Sequence, residues 1–159
     1  MHRVVLLADV RSFPSSRRWP QFNQTDLAGS LERAGIEYRW MKSLGGRRKS
    51  VRPDSPHTAW THPAFRSYAD YMEGEEFAAG LHDLTEIAAR ARLAIMCSEG
   101  LWWRCHRRII SDNLLLRGWQ IEHIMPDGKL TPHRLAEFAS FSEGRLIYDG
   151  GQTTLKLKV

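Results

Sequence analysis

Hydrophobic and polar positions along this chain change period several times, and each change predicts an element. Val4-Val5-Leu6-Leu7-Ala8 is a continuous apolar run without helical spacing, which predicts a buried strand. Ser12-Phe13-Pro14-Ser15-Ser16 breaks the pattern and reads as a loop. Leu27, Leu31 and Ala34 then recur at helical spacing, so a helix is expected from an N-cap at Asn23 or Thr25 up to Gly35. Ile36-Glu37-Tyr38-Arg39-Trp40 alternates apolar and polar, as a strand does. Residues 42–62 have no period; they hold Gly45-Gly46 and the cations Lys42, Arg47, Arg48, Lys49 and Arg52, and predict a long basic loop. Helices are expected over 63–72 and 74–90, the second with an apolar stripe of Phe77, Leu81, Leu84 and Ala88. A strand over 92–97, a helix over 104–117, a strand over 119–125, a helix over 131–140 and a strand over 145–148 complete the reading.

Strands alternating with helices imply an α/β fold with a mostly parallel sheet and helices on both faces. A length of 159 residues fits a single domain, 1–159. Such a chain buries about 70% of the surface it exposes when unfolded. The hydrophobic fraction of 42%, with six Trp, supports a packed core over disorder.

No apolar stretch approaches the ~20 residues of a membrane span, and the amino terminus has no secretory pattern, so a cytoplasmic protein without membrane partners is expected. In that compartment Cys97 and Cys105 are expected to stay reduced. The formal net charge of +5 favours acidic partners, a nucleic acid or a phosphorylated small molecule.

Candidate chemistry concentrates just past two predicted strands, where ligands tend to sit in α/β folds. Asp9 and Arg11 follow the first strand, either as a binding pair or as a local ion pair holding the loop, with Ser15 close behind. Cys97 ends the strand over 92–97, and Glu99, Cys105, His106 and Arg107 follow it. Cys105, at or near a first helical turn beside His106 and Arg107, suits a nucleophile of depressed pKa. Its alternative is a small buried hydrophobe, the reading preferred for Cys97. A phosphatase-type loop brackets five residues between cysteine and arginine, whereas six separate Cys97 from Arg104. On a helix, adjacent Cys105 and His106 point about 100° apart, so no metal site is expected. The Gly45-Gly46-Arg47-Arg48-Lys49 loop suits a phosphate or a nucleic-acid backbone, or is simply solvated. Trp60, Trp102 and Trp103 could stack on bases or pack.

Asp9-Val-Arg11 with Pro14 and Ser15-Ser-Arg-Arg, Gly35-Ile-Glu-Tyr38, Leu44-Gly-Gly46, Cys97-Ser-Glu99, Cys105-His-Arg107 and His123-Ile124 occur in that order. Together they resemble the domain of unknown function family 488, over residues 4–125. The resemblance implies an α/β fold and a shared pocket of Asp9, Arg11, Cys97, Glu99, Cys105, His106 and Arg107. It implies no activity. Members usually open with a strand-helix unit carrying a Thr-Ile-Gly-His-Ser-like segment, which is expected to be missing here.

The resulting expectation is an anion-binding protein, a candidate enzyme acting on a nucleotide or nucleic acid. Asp9, Glu99, Cys105 and His106 are its candidate catalytic residues, and Arg11, Ser15, Arg47 and Arg107 its candidate anion-binding residues. No cofactor or metal is expected. The alternative is a non-catalytic nucleic-acid-binding module or a structural accessory domain.

Overall fold

Strands of four residues each suffice to build the central sheet, because each pairs along its whole length. The computed structural model describes residues 2–48 and 52–151. Strand β1 (Leu6–Asp9) runs parallel to β2 (Glu37–Trp40) on one side and to β3 (Leu93–Met96) on the other, in the order β2-β1-β3. Asp9 stands opposite both Trp40 and Met96, so the three strands end together. Helix α1 (Gln24–Arg33) begins after Asn23, whose side chain caps nothing and instead accepts the Ser16 N–H at 2.7 Å. Four α-helices and a three-stranded parallel sheet make the described residues a mixed α/β protein.

The chain divides into two units, Met1–Arg47 with Gly74–Leu101 and Arg48–Glu73 with Trp102–Val159. The first holds the parallel sheet, α1 and α3 (Glu75–Ala88). Leu6, Ala8, Val10, Leu27, Phe77, Leu81 and Leu84 form its buried apolar core. The second holds α2 (Pro63–Tyr71), α4 (Arg107–Leu116) and two hairpins. Its core centres on Tyr68, Ile109, Ile110 and Tyr148. Trp60 stacks on Phe65 and meets Phe138 and Tyr148 edge-on there.

The second unit corrects the expected pattern. The strand expected over 119–125 is β4 (Glu122–Ile124), paired antiparallel with β5 (Leu130–Pro132). No helix forms over 131–140; that stretch holds β5, a turn and β6 (Ser140–Ser142), which pairs antiparallel with β7 (Arg145–Ile147). The physical reason is turn chemistry. Glu143 and Gly144 both take positive φ, 52° and 78°, as a two-residue turn matched to strand twist demands. The parallel arrangement therefore covers one sheet, and the other strands are antiparallel pairs.

Among its described residues, the loop expected over 42–62 is irregular after a short 3-10 turn, Lys42–Leu44, whose Leu44 is fully buried. Lys49 lies outside the described residues. No helix among the described residues is long and apolar enough to cross a membrane.

Candidate active site

In the first unit, parallel pairing of β1 with β3 brings the segment after Asp9 and the segment after Met96 to one end of the sheet. Asp9, Arg11 and Glu99 therefore lie at the same, carboxyl end. Asp9 is fully buried, and its carboxylate accepts four donors: the Arg11 backbone N–H at 3.0 Å, Arg11 Nε at 2.9 Å, Arg11 Nη2 at 2.5 Å and the Tyr38 hydroxyl at 2.7 Å. Arg11 Nη1 donates to the Phe22 carbonyl at 2.8 Å, and Trp40 Nε1 donates to the Arg11 carbonyl at 2.8 Å. The Asp9 contact raises the Arg11 pKa against the opposing pull of burial. Burial first, then Asp9, holds the Tyr38 proton well above the ordinary tyrosine range. These bonds make Asp9–Arg11 a closed structural knot, because a carboxylate accepting four donors has little capacity left to accept a substrate proton.

Glu99 and Ser15 are exposed, and Glu99 Oε1 accepts the Leu101 N–H at 3.3 Å. Arg47 is also exposed; its backbone N–H donates to Ser12 Oγ at 2.8 Å and its guanidinium lies 5.9 Å from the Phe13 ring centre. Neighbouring Arg48 belongs to the second unit, stacked 3.3 Å over the Tyr71 ring. A cleft of about 670 Å³ opens in the first unit between β2 and α3. Its walls include Trp40, Lys42, Asp83 and Arg90, and no candidate site residue lines it.

Cys105, His106 and Arg107 belong to the second unit. Cys105 does not sit in the first turn of α4. Trp102–Arg104 form a 3-10 turn, which delays the helix until Arg107 and leaves His106 as its N-cap residue. With both residues ahead of the helix, the expected 100° divergence fails: Cys105 Sγ and His106 Nδ1 are 3.5 Å apart. Arg107 Nε donates to the same sulfur at 3.4 Å. Cys105 is buried, and the His106 ring meets Tyr68 edge-on at 4.9 Å. Sγ and Nδ1 are soft donors close enough to share an ion, and equally a thiol with its base.

A second group, read from the sequence only as His123 and Trp102, completes this unit. Asp112, on α4, is fully buried. It accepts Tyr148 Oη–H at 2.8 Å through Oδ2 and contacts His133 Nε2 at 2.8 Å through Oδ1. His133 Nδ1 then meets His123 Nε2 at 2.9 Å. With His133 neutral, its proton sits on Nε2, facing a carboxylate that only accepts, and its Nδ1 is a lone pair. His123 must donate from Nε2, which leaves its own Nδ1 unprotonated. That atom has no hydrogen-bond partner among the described residues. Trp102 lies flat on the His123 ring, 3.8 Å between centres and 2° between planes. Burial, His133 and Arg107 together lower the His123 pKa to about 4. Asp112, His133 and Tyr148 escaped sequence reasoning. One available signal was an aspartate three residues after Ile109 on the apolar face of an amphipathic helix.

Residues 1–114 match the family model described as Domain of unknown function DUF488. The chain belongs to the DUF488 family. The DUF488 match takes in Cys97, Glu99, Cys105, His106, Arg107 and Asp112, and ends inside α4, ahead of His123, His133 and Tyr148. No match was found among curated proteins or among solved structures.

Proposed function

We propose that this protein is an enzyme acting on an anionic, phosphorylated substrate of the nucleotide or nucleic-acid class, with Cys105 as its reactive thiol. One observation carries the reading: His106 Nδ1 and Arg107 Nε both lie within 3.5 Å of Cys105 Sγ. A thiol needs a base to take its proton and a cation to stabilise the thiolate, and this triplet supplies both. His106 is the acid–base partner, and Arg107 holds negative charge on the sulfur or on the substrate. The net charge of +5 supports an anionic substrate. Asp9, Arg11 and Tyr38 serve as the rigid support of the sheet end rather than as reacting groups. Glu99 and Ser15, exposed at that end, are the first unit's remaining candidates for acid–base and anion contacts.

Alkylation of the folded protein by iodoacetamide over a pH series, with peptide mapping, tests this. Cys105 is expected to react below the pH at which an ordinary thiol of pKa about 8.5 does, and Arg107→Ala to remove that advantage. A Cys105 that reacts only on unfolding overturns the thiol chemistry and leaves binding.

The second reading, a nucleic-acid-binding module, rests on the surface of the first unit. Phe13 and Trp19 are 65% and 53% exposed, with Arg47 over the Phe13 ring at 5.9 Å and Arg18 over the Trp19 ring at 5.4 Å. Exposed aromatics interleaved with arginines suit a single strand, whose bases stack while its phosphates pair with the cations.

A further inference from the structure

We propose that His123 Nδ1 is a proton acceptor, held in one tautomer by Asp112 through His133, for a water or hydroxyl that attacks an oxyanion-bearing substrate beside Arg107. This deepens the reading of an enzyme on an anionic substrate and rests on it. The geometry is a directed relay. Asp112 Oδ1 to His133 Nε2 is 2.8 Å, and His133 Nδ1 to His123 Nε2 is 2.9 Å, so both bonds are short, and with neutral rings both protons point toward Asp112. Tyr148 Oη and the Ala136 N–H, at 2.8 and 3.3 Å, occupy the rest of the Asp112 carboxylate and fix its orientation. The Trp102 ring covers one face of His123 and keeps it from turning.

What remains of His123 is one lone pair, on the atom furthest from the relay. Here three buried side chains support one nitrogen. The charge balance explains why the relay is needed. Burial, His133 and the cationic neighbour Arg107 all disfavour a positive His123. When Nδ1 takes a proton from water or a hydroxyl, the Nε2 proton passes to His133 Nδ1. The positive charge then rests on His133 against Asp112, where it is compensated. The attacking oxygen uses the electron pair of the broken O–H bond to bond the substrate's electrophilic centre. The leaving oxygen departs with the electrons of the bond that breaks and takes a proton from solvent. Arg107, whose Nε also contacts Cys105 Sγ, supplies positive charge to both centres and selects an oxyanion, a phosphate or a carboxylate.

Diethyl pyrocarbonate, which acylates a neutral imidazole nitrogen, tests the lone pair directly on the full chain. At about pH 6, where ordinary histidines are largely charged, peptide mapping is expected to find His123 modified ahead of exposed His62. Inorganic phosphate should protect His123, acetate should protect it less, and Arg107→Gln should abolish both effects. Equal protection by the two anions would identify a carboxylate as readily as a phosphate. His133→Phe should slow His123 modification about tenfold, as loss of the group orienting a histidine does. If that variant does not fold, Asp112→Asn, which keeps an acceptor at Oδ1 but removes the charge, is expected to show the same slowing. A His123 that stays unmodified in the folded protein, or reacts equally fast in the folded relay variant, overturns the proposal. Failure of phosphate and acetate to protect it overturns the oxyanion assignment. Cys105 alkylation and His123 acylation are read on different peptides, so either chemistry can fail without the other.

Discussion

Arg11 grips the carboxylate of Asp9, two residues behind it, through both its Nε and Nη2 atoms, and the pair is almost wholly shut away from water, at 5% and 0% exposure. Two charges so buried are tolerable only because every other partner is in place: Tyr38 on the carboxylate, the Phe22 carbonyl on the guanidinium. Removing one partner strands the other charge, which typically costs about 3–5 kcal/mol. Arg11→Ala is therefore expected to lower the unfolding free energy by that order, read by urea denaturation. Tyr38→Phe removes a single hydrogen bond and should cost about 1–2 kcal/mol. An Arg11→Ala protein of unchanged stability that had lost only its response to anions would make Arg11 a ligand contact instead.

Stability should fall as pH drops from about 6.5 to about 4, because His123 is held neutral in the folded state down to about 4 while the unfolded chain protonates it near 6.5. In that window the unfolded state binds more protons, so unfolding becomes easier as pH falls. Below about 4 both states are protonated and the effect stops growing. His57 is also lowered, chiefly by burial, and adds in the same direction. The His123 part amounts to roughly 2 kcal/mol after allowance for partial solvent access. His123→Gln should flatten the slope of unfolding free energy against pH over this window, and an unchanged slope would assign it to other groups.

The parallel sheet was legible because its evidence is local. Leu6 to Ala8, the alternation at 36–40 and the run from Leu93 are each strand-like on their own, and the helical stripe between them supplies the crossover. The region after α4 was not, because Leu135, Ala136 and Ala139 are spaced as on a helix while the deciding information sits outside them. Glu143-Gly144 sets one hairpin, and Gly128, at φ 80°, sits in the turn of the other. At the site, Cys105, His106 and Arg107 were visible as neighbours in the chain. Their mutual geometry was not, since it depends on a 3-10 turn at Trp102–Arg104 that no periodicity signals. The relay was least legible: Asp112, His133 and Tyr148 are joined by folding across 21 and 36 residues, and each alone resembles an ordinary polar residue.

Two glycines should respond in opposite ways to alanine. A Cβ on Gly45 would lie 2.9 Å from the Ser12 Cα, a backbone atom that cannot move aside cheaply. Gly45→Ala is therefore expected to destabilise by about 1–3 kcal/mol. Gly29, inside α1, would place its Cβ no closer than 3.5 Å to the far end of the Arg33 side chain. Gly29→Ala should stabilise by roughly 0.5–1 kcal/mol, the cost of glycine in a helix. Thermal melts of the two variants and wild type decide this, and stabilisation at both sites would show that Ser12 can yield.

The exposed surface around Phe13 and Trp19 makes a quantitative claim about salt. A single strand that pairs phosphates with Arg17, Arg18 and Arg47 releases counterions, so the logarithm of affinity should fall linearly with the logarithm of salt concentration, by about 0.7 per contact. Replacing all three arginines by Ala should then reduce the slope by about 2 for a labelled oligothymidine followed by fluorescence anisotropy. Trp19→Ala should act differently. It removes a stacking surface but no charge, so affinity is expected to drop by about 1–3 kcal/mol with the slope intact. The two signatures separate stacking from charge, which a bare loss of binding would not. The Arg47 backbone anchor at Ser12 and the exposure of both rings make this surface available without rearrangement. If the oligonucleotide does not bind at low salt, or if the triple variant keeps the wild-type slope, the binding-module reading fails and the cationic surface is a solvated face of the first unit.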